Sequence, residues 1–197
     1  MKNCFYKLTI GLILAGGEAR RFGGGKCQAI LQGKPLIQWV YESIKPFTFE
    51  IWLSVKKQED FGLTFTKVIK DPFPGAGPAV ALRETLKHVA NNKVLLVTSC
   101  DQPLIQKKLL KGLVSFFDPH QYEIAVFIDE KGKILPFPGL YKASLKNKKV
   151  NALRDFLKNT KALIIKPELW RKWDPKGLSF YNINYRKDLE RLEKGTP

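Results

Sequence analysis

The stretch Leu8-Thr9-Ile10-Gly11-Leu12-Ile13-Leu14, followed at once by Ala15-Gly16-Gly17-Glu18-Ala19-Arg20-Arg21-Phe22-Gly23-Gly24-Gly25-Lys26, decides the fold. A continuous apolar run reads as a strand over Leu8–Leu14 covered on both faces, the habit of parallel sheets. The loop behind it holds five glycines together with Arg20, Arg21 and Lys26. Glycine lets backbone N–H groups approach an anion closely, and the three cations add charge, so the loop reads as a triphosphate cradle. It is not a Walker A loop, because a leading glycine is missing and Cys27 stands where Ser or Thr belongs. Nor is it a dinucleotide fingerprint, since Gln28 holds the third glycine position counted from Gly23 and Gly25.

Outward from this stretch, β and α patterns alternate. Pro35 opens a helix whose apolar face carries Leu36, Ile37, Val40, Tyr41 and Ile44. Strands are expected over Glu50–Val55, Phe65–Ile69 and Lys93–Thr98, and helices over Ala79–Ala90 and Lys107–Phe117. That order predicts an α/β chain: an open, three-layer, mostly parallel doubly wound sheet. Beyond residue 117 the pattern is less regular. Strands are expected over Glu123–Ile128 and Ala162–Ile165. Ile134–Tyr141 reads as extended but broken by Pro136 and Pro138. Helices are expected over Asn151–Asn159, Pro167–Trp173 and Arg186–Glu193, with Tyr181–Asn184 extended. One domain over residues 1–197 is expected, residues 1–117 binding a nucleotide and 118–197 decorating the sheet on the acceptor side.

The chain has 197 residues, 44% of them hydrophobic, and a formal net charge of +16. It is long enough to bury a core, and no apolar run is long enough to span a bilayer. The positive charge points to an anionic partner. It is spread over both halves, with one denser patch between Lys142 and Lys166. Cys4, Cys27 and Cys100 are odd in number and far apart, which argues against a disulfide framework and a zinc knuckle and fits a reducing cytoplasm. Lys2 and Lys7 before the first apolar run resemble a signal-peptide start, but the run is short and leads directly into the glycine loop, so a buried strand explains it better. His88 and His120 have no partners at metal spacing, and no nucleophile elbow appears.

Ligands of open α/β sheets bind at the carboxyl ends of the strands. Three stretches sit at such ends: the glycine loop, Asp71–Pro78, and Ser99-Cys100-Asp101-Gln102-Pro103. Their chemistry should converge. Asp101 alone reads as readily as a helix cap, but opposite a phosphate cradle it reads as a Mg²⁺ ligand, because Mg²⁺ often takes one or two carboxylates plus substrate oxygens. Asp71 reads equally as a binder of a ribose hydroxyl or base N–H and as a turn former. Cys27 and Cys100 lie close to the expected site as bystanders.

These residues carry a resemblance. Leu14 to Lys26 is similar to the LAGGxxxRMGxDK signature of the molybdenum cofactor guanylyltransferase (MobA) family and its wider nucleotidyltransferase relatives. Gly33-Lys34-Pro35-Leu36, Val68-Ile69-Lys70-Asp71, Gly77-Pro78, Cys100-Asp101-Gln102-Pro103 and Asn182-Ile183-Asn184 follow in the family's order. The resemblance implies a Rossmann-like nucleotidyltransferase fold and transfer of GMP from GTP to the phosphate of molybdopterin or Mo-molybdopterin. It implies that Leu14, Ala15, Gly16 and Gly17, with Ser54 a weaker match, contact the nucleotide. Lys26 would bind phosphates, Asp71 the nucleoside end, and Asp101 the Mg²⁺. Arg20, Asn182 and Asn184 would lie toward the pterin, and Lys26, Asp101 and Arg20 would serve catalysis. Cofactor-donating proteins and molybdoenzyme apoproteins are the implied protein partners. Two positions depart from the pattern: the family's Asp before the lysine is Gly25, and its Met is Phe22. Another group must then orient Lys26. Alternatives remain: a relative using CTP or a sugar-phosphate acceptor, a nucleic-acid module suggested by charge but lacking a binding motif, and a docking role for the 142–166 patch.

Overall fold

The structure, a computed structural model, describes residues 2–17, 21–57, 59–73 and 75–195. Helix α1 (Lys2–Leu8) runs into strand β1 (Thr9–Leu14). The opening apolar run therefore changes element within itself: Leu8 ends a helix and the strand starts at Thr9. The Thr9 hydroxyl donates to the Phe5 carbonyl at 2.8 Å, which closes the last turn of α1. Apolar residues serve both elements, so their run does not mark the junction.

A two-stranded ribbon of β2 (Ile30–Leu31) and β3 (Lys34–Pro35) precedes α2 (Leu36–Ile44). Then come β4 (Glu50–Val55), β5 (Lys67–Lys70), α3 (Pro78–Leu86), β6 (Val94–Ser99) and α4 (Lys107–Phe116). The remaining chain adds β7 (Ile124–Ile128), β8 (Ile134–Lys142), β9 (Ala162–Ile165), α5 (Pro167–Trp170) and α6 (Arg186–Glu193). Seven strands form one sheet in the order β5-β4-β1-β6-β8-β7-β9, and only β8 runs against the others. From β1 the chain steps to β4 and β5 on one side and returns to β6 on the other. The carboxyl ends of β1 and β6 thus form a topological switch point, where such sheets open a crevice.

Alternate residues of the strands face opposite layers. On one face Ile13, Leu53 and Leu96 pack with Ile37 and Val40 of α2 and with Leu109 and Leu113 of α4. On the other, Leu12, Leu95 and Val97 pack with Leu82 and Leu86 of α3 and with Phe156. Each fully buried Leu or Ile of this kind contributes about 1.5–3 kcal/mol, so both layers are held by burial on the central strands.

The second half of the chain does not decorate the sheet; it supplies β8, β7 and β9, with β8 paired directly to β6. Pro136 and Pro138 do not break β8 either. A shift of register between Ala125 and Phe127 of β7 lets the strand carry both prolines, and the Phe137–Pro138 peptide is cis. The expected helix over Asn151–Asn159 reduces to a 3-10 segment, Leu153–Leu157, because the Asp155 carboxylate accepts the N–H groups of Asn151 and Ala152 and tightens the turn. Tyr181–Asn184 has no regular strand pairing. Among the described residues, no helix is long and apolar enough to cross a membrane.

Candidate active site

Sheet register brings the three strand-end stretches together. Leu14 pairs with Ser54 on one side and with Ser99 on the other. The chain leaves those strands still tied: the Ala15 N–H donates to the Ser54 carbonyl at 2.8 Å, and the Cys100 N–H donates to the Leu14 carbonyl at 3.1 Å. The Asp71 N–H donates to the Val55 carbonyl at 2.7 Å, which sets the next stretch beside them. The result is a cleft of about 520 Å³ lined by Leu14, Gly16, Gly17, Ser54, Asp71, Gly77, Pro78, Ser99 and Asp101 from these ends, and by Asn182 and Asn184 from the far end of the chain. A second cavity of about 410 Å³ lies beneath the glycine loop and shares Leu14, Gly17, Ser99 and Asp101 with the first.

Lys26 stands in a 3-10 turn, Lys26–Gln28, that follows Gly25 in the left-handed region at φ 60°. Its ammonium donates to Asp101 Oδ2 at 2.7 Å and to Asn184 Oδ1 at 3.3 Å. Both members of the Lys26–Asp101 pair are largely covered, so the attraction is only partly screened. This supplies the orientation that Gly25 cannot. Phe22, the other departure, is buried with Leu31, Leu36, Ile183 and Leu192 in a small third cluster. The Arg186 guanidinium lies over its ring at 5.4 Å and donates to its carbonyl at 3.3 Å. Phe22 therefore anchors the glycine loop from below.

That cluster also delivers the Asn-Ile-Asn segment. Ile183 is fully buried in it, and its N–H donates to the Asp101 carbonyl at 2.9 Å. The neighbours Asn182 and Asn184, pointing away from the cluster, line the cleft. The Asp188 carboxylate accepts the N–H groups of Asn184 and Tyr185 at 2.9 and 2.8 Å, which joins the segment to the first turn of α6. Asp71 is a turn former, its Oδ1 accepting the Phe73 N–H at 2.9 Å as in an Asx turn, and the residue also lines the cleft. Ser54 is buried within β4 and lines the same cleft. Arg20 lies outside the described residues, and Arg21 is exposed.

Several contributors escaped the sequence reading. Lys56, Lys57 and Phe61 line the cavity beneath the loop; the strand-end rule, applied to the residues after Val55, points to the first two. The Gln102 amide donates to the Phe137 carbonyl at 3.0 Å and ties the Asp101 turn to β8. Cys27 and Cys100 are not bystanders. They are bonded to each other at a sequence separation of 73, with Cα atoms 5.6 Å apart. An odd count of three scattered cysteines hides such a pair, because only the sheet places them side by side.

Four of the eight basic residues of the 142–166 patch are engaged within the fold. The ammonium groups of Lys142, Lys146 and Lys148 donate to Pro119, Asn91 and Asn159, respectively. Lys158 pairs with Asp155 at 2.8 Å and, with the Ala152 and Asn151 N–H groups, holds that carboxyl well below the usual carboxylate range.

As to metals, the described residues contain no group of three or more His, Cys, Asp or Glu side chains able to hold an ion by themselves. Asp101, a single carboxylate beside Lys26 in the cleft, fits an ion that takes most of its ligands from substrate and water, as Mg²⁺ does.

Residues 11–167 match the family described as the MobA-like NTP transferase domain. The chain is 29% identical over 194 residues to a probable molybdenum cofactor guanylyltransferase of Carboxydothermus hydrogenoformans, covering 95% of each chain. It is 28% identical over 194 residues to a probable molybdenum cofactor guanylyltransferase of Aquifex aeolicus, covering 97% of this chain and 93% of that one. Among solved structures, the molybdopterin-guanine dinucleotide biosynthesis protein A of Archaeoglobus fulgidus superposes with a TM-score of 0.75 at 23% identity, covering 94% of this chain and 97% of that one. That likeness is one of fold.

Proposed function

The chain belongs to the MobA-like NTP transferase family, and from that premise we propose that it transfers GMP from GTP to the phosphate of molybdopterin or Mo-molybdopterin, forming molybdopterin guanine dinucleotide and pyrophosphate in the cytoplasm. The names of its full-length relatives support this choice of substrates. The observation that carries it is the Lys26–Asp101–Asn184 constellation at the switch point, where a cation, a carboxylate and an amide from three distant segments meet.

The chemistry needs positioning and charge neutralisation more than a protein nucleophile. The nucleotide lies along Leu14, Ala15, Gly16 and Gly17, with its nucleoside end toward Ser54 and Asp71. Lys26 exchanges Asp101 for the phosphates when GTP enters, since a polyphosphate offers it more negative charge than one carboxylate. Asp101 would hold Mg²⁺ together with phosphate oxygens, and the ion when bound neutralises charge on the triphosphate. Asn182 and Asn184 hold the pterin on the opposite wall, and Arg20 would assist them by its place in the loop motif. The acceptor phosphate oxygen then attacks the α-phosphorus directly and pyrophosphate leaves.

The test is a panel of GTP, CTP and ATP with Mg²⁺ and authentic molybdopterin, scored by pyrophosphate release. GTP alone is expected to support turnover. Activity only with CTP would overturn the guanylyl assignment, and a trapped guanylylated protein would overturn direct attack.

A further inference from the structure

Cys27 follows Lys26 in the chain, and Cys100 precedes Asp101. The disulfide therefore joins the two backbones that carry the central ion pair of the site. Both cysteines are buried yet line the cavity beneath the glycine loop. We propose that Cys27 and Cys100 form a reversible redox modification site that controls this nucleotidyltransferase centre, the dithiol form being the active one. The proposal rests on the reading of the cleft as a nucleotide site.

The two ends of the bond differ in stiffness. Cys100 leaves β6, whose residues Val94–Val97 are fully buried at the middle of the sheet. Cys27 leaves a loop in which Gly23, Gly24 and Gly25 have φ of 87°, 90° and 60°, and a Cβ added at Gly24 or Gly25 would meet nothing. Such a segment is permissive in conformation. The bond ties it to the stiff strand one residue from each member of the Lys26–Asp101 pair. With the bond closed, the backbone of Lys26 is tied to the Asp101 turn, so the loop cannot shift to bring its ammonium fully onto a polyphosphate. With the bond open, the loop is free to follow its ligand. A staple for a small core stands elsewhere: disulfides of that kind compensate for a short chain with little to bury, and this chain has two extensive apolar layers. In a reducing compartment, disulfides that do form are mostly transient and redox-sensing.

The chemistry balances with an external disulfide, such as oxidised glutathione, as oxidant. The thiolate of one cysteine attacks a sulfur of the external disulfide, whose S–S bond breaks and releases one glutathione thiolate. The thiolate of the other cysteine attacks the resulting mixed disulfide, forms the Cys27–Cys100 bond and releases the second glutathione. Two electrons pass to the oxidant and the two thiol protons pass to solvent or to the departing thiolates.

The test uses the whole chain equilibrated with reduced or oxidised glutathione. Unreduced peptides are mapped by mass spectrometry, amide hydrogen exchange is followed over residues 21–28, and kcat/KM for GTP is measured with Mg²⁺ and molybdopterin as acceptor. In the oxidised sample we expect the Cys27–Cys100 peptide pair, slower exchange over the loop, and a kcat/KM lower by about ten- to a hundredfold, the scale on which a misplaced reacting group acts. Dithiothreitol should restore activity. Cys27→Ser and Cys100→Ser should each abolish the difference between the two samples. Failure of the pair to form, its replacement by a bond to Cys4, or equal kcat/KM with the bond in place overturns the switch. If neither sample turns over GTP, the guanylyl reading falls; the switch is then judged by the loop, and equal exchange in both samples overturns it.

Discussion

The wall of the cleft that carries Ser54 and Asp71 is built by neighbouring strands, whereas the wall that carries Asn182 and Asn184 hangs from a small apolar cluster assembled from remote segments. On the first wall, Ser54 sits in register with Leu14 and Ile69, and the Asp71 N–H is bonded to the Val55 carbonyl. Sheet hydrogen bonds define its position residue by residue. On the second, Ile183 is held by Phe22, Leu31, Leu36 and Leu192 and by one backbone bond to Asp101. No sheet ladder defines that wall, so a change in the apolar cluster should move it. The wall of Ser54 and Asp71 is accordingly fixed by backbone pairing, and the wall of Asn182 and Asn184 depends on packing.

Asp101 stands where the walls meet, and Asp101→Asn should do the most damage. Turnover should fall about 10²–10³-fold, the range for removing one preorganised charge-stabilising group, and Lys26→Ala should behave alike in steady-state assays. Near-normal turnover in both would break the idea that this pair organises the reaction. Next, Ile183→Ala should cost about 2–5 kcal/mol in urea unfolding, as deletion of a buried aliphatic side chain does. It should also raise KM for the pterin more than KM for GTP, whereas Asp71→Ala should raise KM for GTP. An unchanged pterin KM in Ile183→Ala would dissolve the contrast between the walls. Asp188→Ala removes the acceptor of two N–H groups and should cost about 1 kcal/mol, with a smaller rise in pterin KM. The mildest change is Phe22→Met, which restores the family's residue at similar volume. It should cost about 1 kcal/mol or less and leave GTP kinetics unchanged; a large loss would show that the Arg186–Phe22 contact does more than fill space.

Parts of this arrangement were open to reading from local pattern. The strand Glu50–Val55 and the helix Arg186–Glu193 form with the expected bounds, because the largely apolar run of the one and the helical spacing of Leu189 and Leu192 in the other are local signals. The strand-end rule likewise placed Leu14, Asp71 and Asp101 around one cleft. Other parts were not. Two prolines in Ile134–Lys142 read as a break, yet the strand survives because its partner shifts register opposite them. The N-terminal run hid a helix-to-strand junction, since burial on either element asks for the same residues. The cysteines gave no spacing signal, being joined through the sheet and not through the chain.

The sequence by itself determined the alternation of strands and helices from β1 to α4, the glycine-rich and cationic make-up of the loop after β1, and the candidate carboxylates. Periodicity, turn chemistry and residue type are local properties, and each can be read within a dozen positions. Only the tertiary structure decided what those groups face: Lys26 against Asp101 and Asn184, Ile183 beneath Phe22, and Cys27 against Cys100. These contacts join segments far apart in the chain, and they exist because burial of apolar surface between remote elements, which has no direction and no sequence spacing, brings their polar neighbours within reach.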